Sequence, residues 1–447
     1  MKKPESFPPA CHPSGVIPAG RIHFWPIDRW RALQRRRLRQ HLAWAAKSPL
    51  NRQLARRTKT GRGVITADDL LDLPIITKQE LALAESGALA VPTDRIAEWV
   101  TTSGTTGRPL QIGLTARDLS RLAENEAVAL NLAGLQPGDT LLLAVAMDRM
   151  FIAGLAYWLG AQKIGAACVR IGSQFASTAQ MLCAWKTLSG RKFLMTVPSL
   201  ASQLSISDCP LRLEAVIGIG EPLLGPDLRP NALAACVAKS LALPADRVLS
   251  TYASTETCTT FAQGPRCKGG HLNPRLGWVE ILDDQNQPVN PGTPGNIVIT
   301  PLGVEGMPLV RFATGDIAAL YTAPCPCGRT TPRLGPILGR QSQLLKVRGT
   351  SLYPAAIFDV LNSIRQIEDY LLVVESTHDL SDKLAVYVHF AGGKSRIPHL
   401  CRTLKAATGG RLKVTPDIRI CSREELAAFR AGHPARKPIR FLDRRGR

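Results

Sequence analysis

Thr101-Thr102-Ser103-Gly104-Thr105-Thr106-Gly107-Arg108-Pro109 crowds hydroxyls and glycines into one stretch without bulk. Glycine lets a backbone turn inward and present successive N–H groups, so such a loop can wrap an anion. Arg108 adds a positive charge at its edge. The preceding Ile96-Ala97-Glu98-Trp99-Val100 reads as a short strand, so the loop is expected to leave a sheet. No lysine follows the second glycine, which sets the loop apart from the common NTPase phosphate loop. On these residues alone an anion cradle and a plain Ser/Thr/Gly turn between strands both stand.

The 447 residues allow two or three domains, and 45% hydrophobic residues is ordinary for a globular chain. No stretch reaches the roughly 18 apolar residues that span a membrane. The first residues, Met1-Lys2-Lys3-Pro4-Glu5-Ser6, carry no apolar signal core, so a secreted protein is not expected. Eleven cysteines in so long a chain do not form a disulfide framework, and a reducing, cytoplasmic setting follows. The net charge of +21 is large, but its residues are spread along the chain. The clusters at Arg35-Arg36-Arg37-Leu38-Arg39 and Arg444-Arg445-Gly446-Arg447 lack interleaved aromatics, which argues against a nucleic-acid partner. An anionic small molecule or an acidic protein fits the charge as well as solvated helix faces do.

Trp30, Leu33, Leu38 and Leu42 predict helix over 26–54, and a helix stopped by Pro74 is expected from Asp68 onward. Thr77-Lys78-Gln79-Glu80 reads as a capping box, and a long helix is predicted from Ala116 to Ala133, ended by Gly134. Strand-like runs over 140–145, 166–171, 192–197, 213–218 and 247–250 then alternate with helical stretches over 151–159 and 178–188. That alternation predicts a mostly parallel sheet covered on both faces. Runs over 279–282 and 296–300 flank a turn and predict hairpins. Beyond Gly339 a strand over 344–347, a helix over 354–364, strands over 370–374 and 384–389 and a helix over 397–407 form a small unit. The expected fold is therefore α/β. A large N-terminal domain of mostly parallel, helix-covered sheet with a β-rich subdomain covers 1–338. A hinge covers 339–342, and a small mobile α+β domain covers 343–447.

Together with Tyr252-Ala253-Ser254-Thr255-Glu256-Thr257, the opening loop resembles the adenylate-forming superfamily. Further motifs follow in that family's order. Arg311-Phe312-Ala313-Thr314-Gly315-Asp316 resembles its Y-R-T-G-D motif, and the run from Gly339-Arg340-Gln341-Ser342 to Arg348-Gly349 resembles its hinge motif. Lys437-Pro438-Ile439-Arg440-Phe441-Leu442-Asp443 resembles its terminal G-K-x-x-R-x-x-D. Within the superfamily the chain is most similar to phenylacetate-CoA ligases, through Trp25-Pro26, Leu73-Pro74-Ile75-Ile76-Thr77-Lys78, Gly220-Glu221-Pro222 and Cys325-Pro326-Cys327-Gly328-Arg329. The resemblance spans nearly the whole chain.

It implies that ATP activates a carboxylic acid as an acyl-adenylate, from which coenzyme A displaces AMP. Thr102, Ser103, Gly104, Thr105, Thr106 and Gly107 would hold the β- and γ-phosphates, with Arg108 where many relatives have lysine. Thr255 would touch phosphate, and Glu256 would bind Mg²⁺, a hard cation that prefers oxygen ligands. Asp316 would accept the ribose hydroxyls, while Gly220, Glu221, Pro222 and Tyr252 would line the adenine and Arg340 would complete the nucleotide site. Lys437 would reach the carboxylate and α-phosphate as a point charge on a flexible stem. Taken singly, Glu256 is a surface carboxylate, Asp316 a turn aspartate and Lys437 a solvated lysine; their order reverses those readings. Phe151, Gly154 and Tyr157 lie where relatives build the acid pocket and point to an apolar or aromatic acyl group, though an aromatic helix face also reads as core.

One departure concerns the hinge, where relatives carry aspartates and this chain has Ser342 and Gln343. Serine is compatible with a pivot, which needs tolerant backbone angles more than charge. Cys267, His271, Cys325 and Cys327 offer three thiolates and an imidazole, a set suited to a structural zinc, with Cys258 a rival for Cys267. Three functions follow: an ATP-dependent aryl or arylacetic acid–CoA ligase, an enzyme loading the acid onto an acidic phosphopantetheinyl carrier protein, and a non-catalytic nucleotide- or nucleic-acid-binding relative. A homodimer is the candidate assembly.

Overall fold

The computed structural model of the chain describes residues 21–56, 70–102, 109–173, 180, 182, 184, 190–204, 211–347, 349–376, 381–390, 392–431 and 439–445. Leu38, Leu42 and Ala45 recur on one face of α1 (Ile27–Ala45) and are buried against Leu70, Leu73, Leu302 and Val310. The periodicity over 26–54 is not one helix. Ser48 accepts a hydrogen bond from the Asn51 amide and starts α2 (Pro49–Ala55), with proline at its first position. The capping box at Thr77 and Glu80 is formed and opens α3 (Lys78–Ala84). Of the helix expected before Pro74, a 3₁₀ turn over Leu70–Asp72 is present, and Asp68 and Asp69 lie outside the described residues.

The loop over 101–109 joins β1 (Ile96–Thr101) to β2 (Gln111–Thr115), an antiparallel pair apart from the main sheet. A second capping box, at Thr115 and Asp118, starts α4 (Ala116–Leu132). The Asp118 carboxylate also accepts the amides of Glu305 (2.7 Å) and Gly306 (2.8 Å), so one helix cap fastens a distant loop.

Then come β3 (Thr140–Ala144), α5 (Ile152–Ile164), β4 (Ala167–Arg170), β5 (Lys192–Thr196), the short α6 (Pro198–Ala201), β6 (Ala215–Ile219), α7 (Ala232–Ser240) and β7 (Val248–Ser254). The strands lie in the order β4-β3-β5-β6-β7, all parallel. Strands buried on both faces carry apolar residues at every position. Leu142, Leu194 and Val216 pack with Leu233 and Val237 of α7, whereas Leu141, Leu143, Phe193 and Met195 pack with Leu130 and Tyr157 on the other face. The helix expected over 178–188 falls largely outside the described residues.

The predicted hairpins do form, but they do not fold into a sheet of their own. β8 (Thr259–Ala262), β9 (Gly270–Leu272), β10 (Gly277–Leu282), β11 (Pro294–Pro301), β12 (Phe312–Tyr321), β13 (Arg333–Leu334) and β14 (Gly339–Arg340) extend the parallel strands into one twelve-stranded sheet. β7 pairs parallel with β6 and antiparallel with β8, so it is the seam.

The C-terminal domain holds the hairpin β15 (Leu345–Val347) and β16 (Thr350–Leu352), then α8 (Pro354–Asn362), β17 (Ile367–Ser376), β18 (Asp382–Phe390), α9 (Ile397–Leu412), β19 (Asp417–Ile420), α10 (Arg423–Ala431) and β20 (Phe441–Asp443). Its sheet runs β19-β18-β17-β20. The last three elements were not read from the sequence; β19 and β20 are short, and each pairs parallel with a longer strand that supplies its hydrogen bonds.

Glu126 of α4 is buried in the N-terminal domain and accepts hydrogen bonds from Thr260 and Asn125. Burial pushes its carboxyl from 4.5 up to about 7. The folded chain then holds this proton more tightly than the unfolded chain does, so its stabilisation is complete below pH 4.5 and lost as pH rises to about 7. Glu126→Gln, neutral throughout, is expected to remove that fall of about 3 kcal/mol, read from urea unfolding across the same pH window. Identical pH slopes for the two chains would contradict the shift.

Candidate active site

Between the two domains lies a cavity of about 400 Å³. Gly220, Glu221 and Pro222 reach it from the turn after β6, Tyr252 from β7, Asp316 from β12 and Arg340 from β14. Six residues expected to hold nucleotide thus meet in one place. Gly220 takes a φ of +75°, a left-handed angle that glycine adopts without strain and that turns the chain at the sheet edge. Glu221 accepts the Ser199 amide at 2.7 Å and so sits over the start of α6. The C-terminal domain closes the cavity with Pro354, Phe358 and Asn362 of α8 and with Arg440.

Asp316 is the electrostatic centre. The Tyr252 hydroxyl donates to one of its oxygens at 2.9 Å, and Arg340 approaches the other at 3.3 Å. Burial pushes the Asp316 carboxyl above its ordinary range, and the Arg340 charge opposes that shift. Burial also pushes the Tyr252 phenol well up, so it stays a donor.

Ser103, Gly104, Thr105, Thr106, Gly107 and Arg108 lie outside the described residues, but both ends of their loop are in place. The buried Thr101 amide donates to Met150 O at 2.9 Å, and Thr102 exchanges hydrogen bonds with Leu110 through its amide and its hydroxyl oxygen. Thr255 and Glu256 occupy the turn from β7 to β8. Lys78 Nζ stands 3.2 Å from Glu256 Oε1. Lys78 was not singled out from the sequence. Its available signal was the Ile76-Thr77-Lys78 run, which is stitched to β12 by Ile76 N to Arg311 O and Ala313 N to Ile76 O, both 2.9 Å.

Phe151, Gly154 and Tyr157 do not line this cavity. Phe151 caps α5, and a Cβ at Gly154 would run into Ala146 O and the Met147 side chain. Tyr157 is buried in the core, yet its hydroxyl lies 3.4 Å from Thr251, which does line the cavity. Lys437 lies outside the described residues. Arg440, read from the sequence only as a spacing marker, stacks its guanidinium 4.7 Å from the Tyr370 ring centre and faces the cavity. Ser342 sits in an exposed 3₁₀ turn, Gln341–Gln343, where its carbonyl accepts from Arg445 at 3.3 Å.

Away from this cavity, Cys267, His271, Cys325 and Cys327 bring their ligand atoms within 4.8 Å of one another. Hydrogen bonds from Cys267 and then Cys325 pull the Cys327 thiol far below its usual range, while the same contacts with Cys325 and Cys327 push the Cys267 thiol up, so the sulfurs share protons among themselves. Cys258 is not in the cluster. Three soft sulfurs and one imbedded imidazole nitrogen, close enough to share one centre, fit a tetrahedral d¹⁰ cation.

Residues 40–304 match the AMP-binding enzyme family, more than half of the chain, and the chain belongs to that family. Within it, the chain is a relative of phenylacetate-CoA ligases. The phenylacetate-coenzyme A ligase of Thermus thermophilus is 30% identical over 366 residues, 78% of this chain and 79% of that protein. The one from Escherichia coli is 24% identical over 424 residues, 88% of this chain and 91% of that protein. Among solved structures, 2-hydroxyisobutyryl-CoA ligase in its postadenylation state superposes with a TM-score of 0.81 at 20% identity, over 100% of this chain and 95% of that one. The same ligase in its thioesterification state gives 0.64 at 21% identity, over 95% and 92%. No described helix is long and apolar enough to cross a membrane.

The domains touch through α7 and α8. Asp359 of α8 accepts the Ala232 amide at 3.0 Å, while Asn231 caps the same helix through Ala234. Asp359→Ala is expected to weaken this docking by about 1–2 kcal/mol. Hydrogen exchange in the first turn of α7 should quicken; unchanged protection would mean Asn231 alone holds that end.

Proposed function

We propose that the chain joins an aryl or arylacetic acid to coenzyme A in two ATP-driven steps. The observation that supports this best is the convergence of Gly220, Glu221, Pro222, Tyr252, Asp316 and Arg340 on one cavity between the domains. A carboxylate oxygen of the acid attacks the α-phosphorus, and the bond to pyrophosphate breaks. The resulting acyl-adenylate has a good leaving group. The thiol of coenzyme A gives up its proton to solvent, the thiolate attacks the acyl carbon, and the bond to AMP breaks. The protein's work is to position reactants and to stabilise developing phosphate charge.

Thr102 to Gly107 wrap the β- and γ-phosphates, with Thr255 beside them. Glu256 would hold Mg²⁺, which draws charge from the phosphates; before it binds, Lys78 keeps that carboxylate oriented. Asp316 takes the ribose hydroxyls, Tyr252, Gly220, Glu221 and Pro222 face the base, and Lys437 bridges the acid and α-phosphate. Phe151, Gly154 and Tyr157 shape the acyl end, an assignment supported by the Tyr157–Thr251 contact across β7. The C-terminal domain pivots between the two steps at Ser342. Arg340 is tied to Asp316 on one side, and Arg445 grips the Ser342 carbonyl on the other, which supports a pivot at the exposed Gln341–Ser342 link. Cys267, His271, Cys325 and Cys327 would hold a structural zinc. The reaction belongs in the cytoplasm, with a homodimer as the candidate assembly.

A second acceptor, the phosphopantetheine arm of an acidic carrier protein, is favoured by the exposed arginines of α1: Arg29, Arg31, Arg35, Arg36 and Arg39. Mass spectrometry of a carrier after incubation separates the two acceptors.

Pyrophosphate release across benzoates, arylacetates and amino acids tests the main reading, with AMP formation then requiring coenzyme A. Lys437→Ala is expected to slow acid-dependent pyrophosphate exchange by about 100-fold or more while sparing thioesterification of supplied acyl-adenylate. Full exchange activity in that variant would overturn the assigned role of Lys437, and silence toward every acid would overturn the ligase.

A further inference from the structure

His271 is the one nitrogen donor of the Cys267, His271, Cys325 and Cys327 cluster, and a ring nitrogen can bind a cation only through a bare lone pair. Its Nε2 faces the cluster, 3.3 Å from Cys327 Sγ. Its Nδ1 lies 2.9 Å from Thr331 Oγ1. The same hydroxyl lies 2.8 Å from Nδ1 of a second imidazole, His23. All three residues are buried: His23 is 0%, His271 1% and Thr331 1% exposed.

A hydroxyl carries one proton and can also accept, so the three atoms must share their protons in sequence. If Nε2 of His271 is bare, the neutral ring holds its proton on Nδ1 and donates it to Thr331 Oγ1. Thr331 then donates its own proton to Nδ1 of His23. The opposite order puts a proton on Nε2, aims an N–H at Cys327 and closes the cluster to a cation. We propose that Thr331 is the positioning residue of this metal centre: its hydroxyl, with His23 as the acceptor behind it, holds His271 in the tautomer and ring orientation that binds the cation. The proposal rests on reading the cluster as a zinc site.

The backbone is built to keep His23 there. Thr330, next in the chain to Thr331, donates its amide to His23 O at 2.7 Å and its hydroxyl to Trp25 O at 2.6 Å. The 3₁₀ turn Arg21–Phe24 is thereby strapped to the segment that supplies Cys325 and Cys327. Arg329 adds a guanidinium 5.0 Å from the Phe24 ring centre. A residue from the start of the described chain thus orients a ligand far along it, which no local sequence pattern announces.

The test compares the full-length wild type with Thr331→Val, which keeps the shape and removes the hydroxyl, and with Thr331→Ser, which restores it. Zinc affinity is measured by competition with a chromophoric chelator, and melting temperature is measured with and without zinc. Thr331→Val is expected to bind zinc about 10–100-fold more weakly and to lose part of the zinc-dependent rise in melting temperature, with Thr331→Ser close to wild type. His23→Leu, which removes the far acceptor, is expected to weaken zinc in the same direction and serves if the valine variant does not fold. Equal zinc affinity in wild type, Thr331→Val and His23→Leu overturns the positioning role while leaving the zinc site standing. A valine variant whose melting temperature falls equally with and without zinc also overturns it, since that marks a packing defect alone. A wild type that takes up no zinc overturns both the site and the proposal, while leaving the ligase reading untouched.

Discussion

The Asp316 carboxylate holds three parts of the molecule to one point. It arises on an antiparallel strand, accepts the Tyr252 hydroxyl from the last parallel strand and pairs with Arg340 on the connection to the C-terminal domain. A carboxylate so far buried is tolerable only when paired and hydrogen-bonded, because an uncompensated interior charge costs several kcal/mol. Asp316 also lines the inter-domain cavity, where the proposed function places ribose hydroxyls. Nucleotide binding and the anchoring of the domain connection would then share one charge.

That geometry depends on β7. Parallel strands end in a crevice at their carboxyl edge, which is where ligands collect in α/β sheets. Had the sheet stayed parallel, a helix would follow β7 and carry the chain away. Instead β8 returns antiparallel after a tight turn, with Cys258 at a φ of +46°, and the turn keeps Thr255 and Glu256 at the edge. The β-rich half is therefore the continuation of the catalytic sheet, and it delivers Asp316 and Arg340 to the same side.

Much of this was legible because the motifs report local chemistry that needs particular residues. Glycine at 220, the Tyr-x-x-Thr-Glu run and the Thr-Gly-Asp run demand specific backbone angles or charges, so they stand out in one dimension. Alternating strands and helices were legible through periodicity, as the unbroken Leu141-Leu142-Leu143 run illustrates. What stayed hidden depends on distant partners. Lys78 acquires meaning only through Glu256, and Arg440 only through Tyr370 and the cavity. Arg121 is an ordinary helix arginine in sequence, yet it is buried and donates to Leu302, Cys258 and Leu276 carbonyls from three different segments. The zinc-type cluster was readable as a ligand set, because cysteine and histidine are chemically conspicuous. Its proposed support by Thr331 and His23 was not, because a threonine in a bend has many uses.

The stretch proposed as the hinge has its carbonyls held by an arginine from far along the chain. In relatives the motif leads one to expect aspartates, and Ser342 and Gln343 cannot supply that charge. The carbonyls of the turn are gripped instead by Arg445, whose guanidinium reaches Ser342 O and Leu344 O while pairing with Asp382 and Asp443. Those two carboxylates belong to the C-terminal sheet, so Arg445 binds the far side of the turn to the body that would move. Arg340, held by Asp316, binds the near side to the body that would stay. An aspartate inside the turn would be one more group for either anchor to attract, blurring which side it follows. With neutral residues between two arginine anchors, the exposed link at Gln341 and Ser342 carries no charge of its own to prefer either domain, and the proposed rotation there would leave both anchors unbroken.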